Sequence, residues 1–151
     1  MQWCTEEQTS ALKMSAKVKE TLFTGKSDFQ EVAVVDSEQF GRMLVLDGVF
    51  QTSIADEFVY HEMIAHIPLY IHPNPKKVLI IGGGDGGTAR EVLRHTTVEK
   101  AEMVEIDGMV VDVSKKYLPE ISVVLNDSPK NFELKIGDGI QHMADAEDEY
   151  D

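Results

Sequence analysis

Through the first third of the chain, short apolar runs alternate with polar breaks, and near residue 54 the period of the pattern changes. Lys17–Thr24 (KVKETLFT), Glu31–Val35 (EVAVV), Met43–Leu46 (MLVL) and Val49–Thr52 (VFQT) are rich in β-branched or apolar residues. GKSD, DSEQFG and DG separate them, and the pattern predicts strands. Asp47-Gly48 predicts a hairpin, because both central residues of a type I′ turn need positive φ. Residues 1–53 are therefore expected to form a small antiparallel β domain. A sheet of that size buries little by itself and has to lean on the rest of the chain or on another subunit.

From Ile54 the spacing is helical. Tyr60, Met63, Ile64 and Ile67 fall at i, i+3, i+4 and i+7 on one face, and Pro68 marks the expected end. Ser53 followed by Asp56 resembles a capping box at the entry. After the rigid HPNP turn, Val78–Ile81 (VLII) is apolar on both faces, as a buried parallel strand requires. A glycine-rich turn, a helix near 88–94, a strand near 101–106 and a helix near 109–117 come next. A strand near 132–136 and a helix near 140–146 complete the series.

This β-α-β-α-β-α alternation predicts the nucleotide-binding half of a doubly wound α/β sheet, so residues 54–151 are assigned to a Rossmann-like domain. Three core strands are few for that architecture, and Tyr150-Asp151 reads as the opening of another. The sheet is expected to be truncated and the chain to be part of a longer protein.

Charge narrows the ligand. The 151 residues hold 27 acidic and 14 basic side chains, a net charge of −13, which disfavours nucleic acid as a partner. It suits a solvated surface or a cationic small molecule equally. Cys4 is the only cysteine, so neither an internal disulfide nor a Cys-rich zinc site is available. No basic start leads into an apolar run, and no apolar run approaches membrane-spanning length. A soluble, cytoplasmic protein without a membrane partner is expected.

The glycine turn carries the chemistry. In KKVLIIGGGDGGTAREV, Gly82, Gly84 and Gly87 satisfy G-x-G-x-x-G directly after a strand and opening a helix. Glu105, at the end of the next strand, stands where a carboxylate can hold two ribose hydroxyls. Together they indicate an adenosine-containing ligand. Asp85 lies in the middle of the turn, where a dinucleotide would put its pyrophosphate. A carboxylate about 4 Å from a phosphate charge costs roughly 4 kcal/mol at an effective dielectric near 20, whereas a sulfonium or ammonium would gain. Asp85 thus favours a cationic nucleoside over a nicotinamide dinucleotide, or else it points to solvent or caps the next helix. Asp138-Gly139, after the third strand, offers an acceptor for an adenine amino group, or a simple N-cap before Ile140.

Two rival motifs fail on geometry. HEMIAH (His61, Glu62, His66) departs from H-E-x-x-H because Ala65 holds the i+4 position. At i+5 two imidazoles stand about 140° apart around a helix, so no metal site is expected. His61 by itself reads as a surface or capping histidine. The serines lack any nucleophile-elbow context.

DGVFQTSIADEFVYHEMIAHIPLYIHPNPKKVLIIGGGDGGTAREVLRH, with GKSDFQ, VEIDGMVVDVSKKYLP and GDG, closely resembles the spermidine synthases, the polyamine aminopropyltransferases. The resemblance runs from about Trp3 onward and is strongest to bacterial members. It implies a small N-terminal β domain before a Rossmann-like, methyltransferase-type domain, and assembly as a homodimer or higher homo-oligomer. The implied reaction moves an aminopropyl group from decarboxylated S-adenosylmethionine to putrescine, giving spermidine and methylthioadenosine, with no cofactor. Asp85 resembles the carboxylate that holds the donor's ammonium, Glu105 the ribose acceptor, and Asp138 with Gly139 the adenine contacts. Gln30 matches a glutamine that reaches the nucleoside, and Tyr60 and His61 the pair lining the amine channel, where other members carry Gln in place of His. The implied proton-accepting aspartate lies just past Asp151, so this chain by itself is expected to be inactive. The alternatives are an S-adenosylmethionine methyltransferase on the same fold and a non-catalytic polyamine-binding module.

Overall fold

The computed structural model describes residues 2–146 and 150–151. Five antiparallel strands run in chain order across the first sheet: β1 (Gln2–Thr9), β2 (Leu12–Lys26), β3 (Glu31–Ser37), β4 (Gly41–Leu46) and β5 (Val49–Ser53). The β4–β5 turn is the expected one, with φ of 49° at Asp47 and 78° at Gly48. Pairing shifts register twice along β2, between Val18 and Glu20 and between Thr21 and Phe23. Such bulges bend a strand, and the sheet curls into a half-barrel. The curl brings β1 beside β5, where the Phe50 amide donates to Glu6 Oε2 at 2.9 Å.

The central strand β3 is buried on both faces. Val35 packs inside the curl with Ala16, Val18, Met43 and Val45. Val32 and Val34 pack outward, with Leu44, against Val110, Val113 and Leu118 of the second half of the chain. The small sheet leans on that second half, as its size requires.

The second half opens with α1 (Glu57–Ile71) and continues through β6 (Lys77–Ile81), α2 (Gly87–Val92), β7 (Lys100–Glu105), α3 (Gly108–Tyr117), α4 (Val123–Asp127), β8 (Phe132–Ile136) and α5 (Gly139–Asp145). The strands are parallel in the order β6-β7-β8. Ile80, Ala101 and Met103 meet Ala65, Ala89, Val92 and Leu125 in the core on one face. On the other face α5 is held by His142, whose Nε2 lies 2.8 Å from the buried carboxylate of Glu102.

Helix α1 departs from the expected pattern in three ways. Its apolar positions Tyr60, Met63, Ile64 and Ile67 are exposed, and its buried stripe is His61, Ala65 and Leu69. The helix approaches α2 through small residues, so close packing with Ala89 wins over the burial of bulkier side chains. Pro68 lies inside the last turn and does not end the helix. No capping box forms: Asp56 is the N-cap without a side-chain bond to the helix, and Ser53 Oγ instead bonds Asp56 Oδ1 at 2.6 Å. β1 and α4 are further additions to the expected elements. Where a strand opening was expected, the Asp151 amide donates to Lys77 O at 3.1 Å along the free edge of β6.

Candidate functional site

The carboxyl ends of β6, β7 and β8 converge, and each strand passes into a helix through a glycine-containing turn. The glycines of the first turn answer to different constraints. Gly82 has a φ of +79°, open to a residue without a Cβ. At Gly84 a Cβ would come within 2.9 Å of Val110 Cγ1 and 3.1 Å of Glu105 Oε2. That absence of a side chain lets the Gly84 amide donate to Glu105 Oε2 at 3.0 Å. Glu105 Oε1 accepts from the Asp107 amide at 2.9 Å. Both oxygens of this buried carboxylate are thereby aimed, and each retains a further acceptor position.

Asp85 bonds the start of the next helix, as one of its alternatives on sequence anticipated. Its Oδ1 accepts from the amide of Gly87, the first residue of α2, at 2.7 Å, and the residue also lines a cavity between the two sheets. His61 Nε2 stands 3.4 Å from the same oxygen. The histidine is not on the surface as its helical position suggested. It is 2% exposed, because α1 presses it onto the glycine turn. Its Nδ1 meets Glu57 Oε2 at 2.5 Å, and Glu57 in turn is gripped by Arg90 Nη2 at 2.9 and 3.0 Å. Arg90 Nε donates to Glu91 Oε1 at 2.7 Å, and Arg94 Nη1 to Glu91 Oε2 at 2.6 Å. Burial works to lower the His61 pKa, but the carboxylates of Asp85 and Glu57 outweigh it and hold the imidazole above its ordinary value.

The cavity between the sheets has a volume of about 310 Å³. Gln30, Tyr60, His61, Gly84, Asp85 and Glu105 line it, with Ile80 and Val110 among its apolar walls. Two carboxylates face it, and among the described residues no lysine or arginine does. Tyr60 is exposed at its mouth, its ring packed edge-on to His61 with centroids 5.4 Å apart. Asp138, Gly139 and Gly82 line an adjoining hollow of about 240 Å³ that shares Ile81 and Glu105 with the first. Asp138 Oδ1 accepts from the amides of Ile140 at 2.8 Å and Gln141 at 3.3 Å, so the residue does act as the N-cap of α5. Gly87 lies behind His61 and outside the cavity lining.

Four residues that sequence reasoning passed over shape this site. Glu57 and Arg90 orient His61, and Asp107 and Ser27 hold Gln30: Gln30 Nε2 donates to Asp107 Oδ2 at 2.8 Å, and Ser27 Oγ donates to the same oxygen at 2.7 Å. Asp107 had a signal, since it follows a strand and precedes an apolar helix in the manner of an N-cap. The pairing of Glu57 with Arg90 spans 33 residues and had none. The histidines of HEMIAH go separate ways, His66 to His95 at 2.8 Å and to Glu91 at 3.3 Å. Among the described residues, no cluster of three or more His, Cys, Asp or Glu side chains is placed to hold a metal ion. No helix there is long and apolar enough to cross a membrane.

Comparison with known proteins sets this geometry in a family. Residues 57–151 match the model described as the spermine/spermidine synthase domain, and residues 2–53 the spermidine synthase tetramerisation domain. A polyamine aminopropyltransferase of Bacillus mycoides (strain KBAB4) is 52% identical over 149 residues, which are 99% of this chain and 54% of that protein. The crystal structure of spermidine synthase from Thermotoga maritima superposes with a TM-score of 0.95 at 42% identity, covering 99% of this chain and 52% of that one. A spermidine synthase crystallised with the transition-state analogue AdoDATO superposes equally well, with 51% of its chain covered. The chain spans about half the length of the curated relatives it matches. Over that span, in both of its sheets and in the turn that joins strand to cavity, the chain belongs to the spermine/spermidine synthase family.

Proposed function

We propose that the protein is an aminopropyltransferase of polyamine biosynthesis, and that this chain supplies the donor half of its site. The observation that carries the reading is the pair Asp85 and Glu105, two carboxylates facing one cavity that no lysine or arginine among the described residues lines, with His61 beside Asp85 the one basic side chain there. Such a cavity attracts a nucleoside bearing positive charge and repels a pyrophosphate. On this reading decarboxylated S-adenosylmethionine binds with its ribose hydroxyls donating to Glu105, its adenine amino group toward Asp138 and Gly139, and its ammonium at Asp85. Gln30 reaches the nucleoside from the β domain, and Tyr60 with His61 lines the path of the amine.

The chemistry then needs little beyond alignment. The neutral amine of putrescine attacks the aminopropyl carbon bonded to sulfur as the carbon–sulfur bond breaks. The electron pair of that bond goes to sulfur, which leaves as the neutral thioether of methylthioadenosine. The new secondary ammonium of spermidine gives its proton to a base, proposed to be an aspartate past Asp151. Holding both reactants in line converts an encounter of two molecules into a step within one complex. The step so written balances without a cofactor or a metal. We further assign residues 1–53 to an N-terminal β domain and 54–151 to the nucleoside-binding domain. The tetramerisation-domain match supports a homo-oligomer, and a cytoplasmic location suits the substrates.

Calorimetric titration of the chain with methylthioadenosine, with NAD as comparator, tests the nucleoside reading. Binding of methylthioadenosine, no binding of NAD, and loss on Glu105→Ala are expected. A folded chain that takes NAD and refuses methylthioadenosine would overturn it.

A further inference from the structure

Asp107 lies outside the cavity lining, is 1% exposed, and touches both groups that face the nucleoside end. Its amide holds Glu105 Oε1, and its carboxylate holds Gln30. From the juxtaposition of Asp107 with Gln30 and Glu105 we propose that Asp107 is the positioning residue of the nucleoside subsite, the group that decides which end of the Gln30 carboxamide the ligand meets. The inference rests on reading this cavity as a nucleoside site.

Donor and acceptor inventory sets the orientation. An ionised carboxylate only accepts, so Gln30 has to turn its NH2 toward Asp107. Its carbonyl oxygen is then the polar group left for the cavity that Gln30 lines. The other Asp107 oxygen, Oδ1, accepts from the Met109 amide at 3.0 Å and caps α3, so the carboxylate cannot swing away without uncapping a helix. Ser27 locks the remaining freedom. Its hydroxyl donates to Asp107 Oδ2 and accepts from the amides of Phe29 and Gln30, both at 3.1 Å, which fixes the 27–30 turn over the site. Gln30 thus presents an acceptor, selecting ligands that bring a donor, such as a ribose hydroxyl, over those that bring a phosphate oxygen.

Asp107→Asn is nearly isosteric and reverses this logic. With its oxygen kept on the Met109 amide, the new NH2 faces both Ser27 and Gln30: the Ser27 hydroxyl turns to the Gln30 main-chain carbonyl, 3.3 Å away, and the Gln30 carboxamide flips and offers a donor to the cavity. Methylthioadenosine affinity is expected to fall about tenfold, a directed hydrogen bond's worth, in the wild-type background. In the Gln30→Ala background the same substitution should change it less than about twofold. Equal losses in both backgrounds, or none in either, would overturn the positioning role.

A second readout needs neither ligand nor variant stability. In the ligand-free wild-type chain, the Gln30 side-chain amide proton that bonds Asp107 should exchange slowly in an NMR experiment. Exchange at the rate of a free carboxamide would overturn the proposal directly. If methylthioadenosine fails to bind while Gln30 is held, the nucleoside reading fails and the Asp107–Gln30 lock stands as structure alone, which also overturns the subsite role.

Discussion

The imidazole of His61 stands where a side chain on Gly87 would have to be: a Cβ there would lie within 2.6 Å of Nε2, and other ring atoms are closer still. The third glycine of the turn therefore answers to a histidine on another helix as well as to any ligand. Gly87 and His61 form one packing unit.

Gly87→Ala should consequently destabilise the fold. Overpacking costs about 1–3 kcal/mol, which exceeds the gain of about 1 kcal/mol from replacing glycine in a helix. In a His61→Ala background the clash disappears and the same change should be neutral or stabilising. Urea unfolding of the four proteins checks this, and additive effects would show that the two residues are not coupled.

Asp85→Asn separates charge from geometry. The asparagine oxygen can still accept from the Gly87 amide, so the start of α2 survives. Methylthioadenosine, which has no ammonium, should bind within about twofold of wild type. Decarboxylated S-adenosylmethionine should weaken by about tenfold to a hundredfold, the range for a hydrogen bond to a charged group. Calorimetry with both ligands decides, and parallel losses would remove Asp85 from the ammonium site.

Positions decided by a local rule were legible in the sequence, and positions decided by a packing contest were not. The Asp47-Gly48 turn and the strand–glycine–helix junction at 77–92 were legible because positive φ and close backbone approach admit few residues. The face of α1 was not. Its period fitted a buried stripe of Tyr60, Met63, Ile64 and Ile67, yet His61 and Ala65 are inside, because small residues and a carboxylate-held imidazole make the closer contact with α2. β1 was missed because QWCTEEQT is polar and mostly exposed, paired only with β2. The chain from Asp85 to Glu91 through His61, Glu57 and Arg90 was illegible for another reason: no spacing rule joins charges on two helices.

That buried chain makes stability depend on pH through His61. Its pKa is raised in the folded state, burial being outweighed by Asp85 on the glycine turn and Glu57 on α1, with Arg90 of α2 behind Glu57. A group with a raised folded value stabilises fully below its unfolded pKa, about 6.5, and loses that contribution as pH rises through the folded value. Relative to His61→Gln, the wild type should therefore have its largest advantage below about pH 6.5 and lose it progressively as pH rises above that value. Urea midpoints for both proteins over that window test this, and a constant difference would remove His61 as the titrating group.

Arg90 supports the opposite end of the scale. Glu91 is 2% exposed, and burial pushes its carboxyl up, but Arg90 and Arg94 outweigh this and hold it below its ordinary value. Its stabilising contribution is present above about pH 4.5 and lost as pH falls through the folded value. Arg90→Met keeps the stem of the side chain and leaves both Glu57 and Glu91 without their shared cation. Removing one partner of a buried pair costs about 3–5 kcal/mol when the other is left unpaired, and the loss here should fall below that range because Arg90 is partly exposed and Arg94 and His61 still meet the two carboxylates. The variant should unfold at lower urea, and its acid transition should move to higher pH because Glu91 then protonates more readily. Circular dichroism through an acid titration reads the second effect. An acid transition that stays where it is in the wild type would show that Arg90 does not hold the Glu91 carboxyl down.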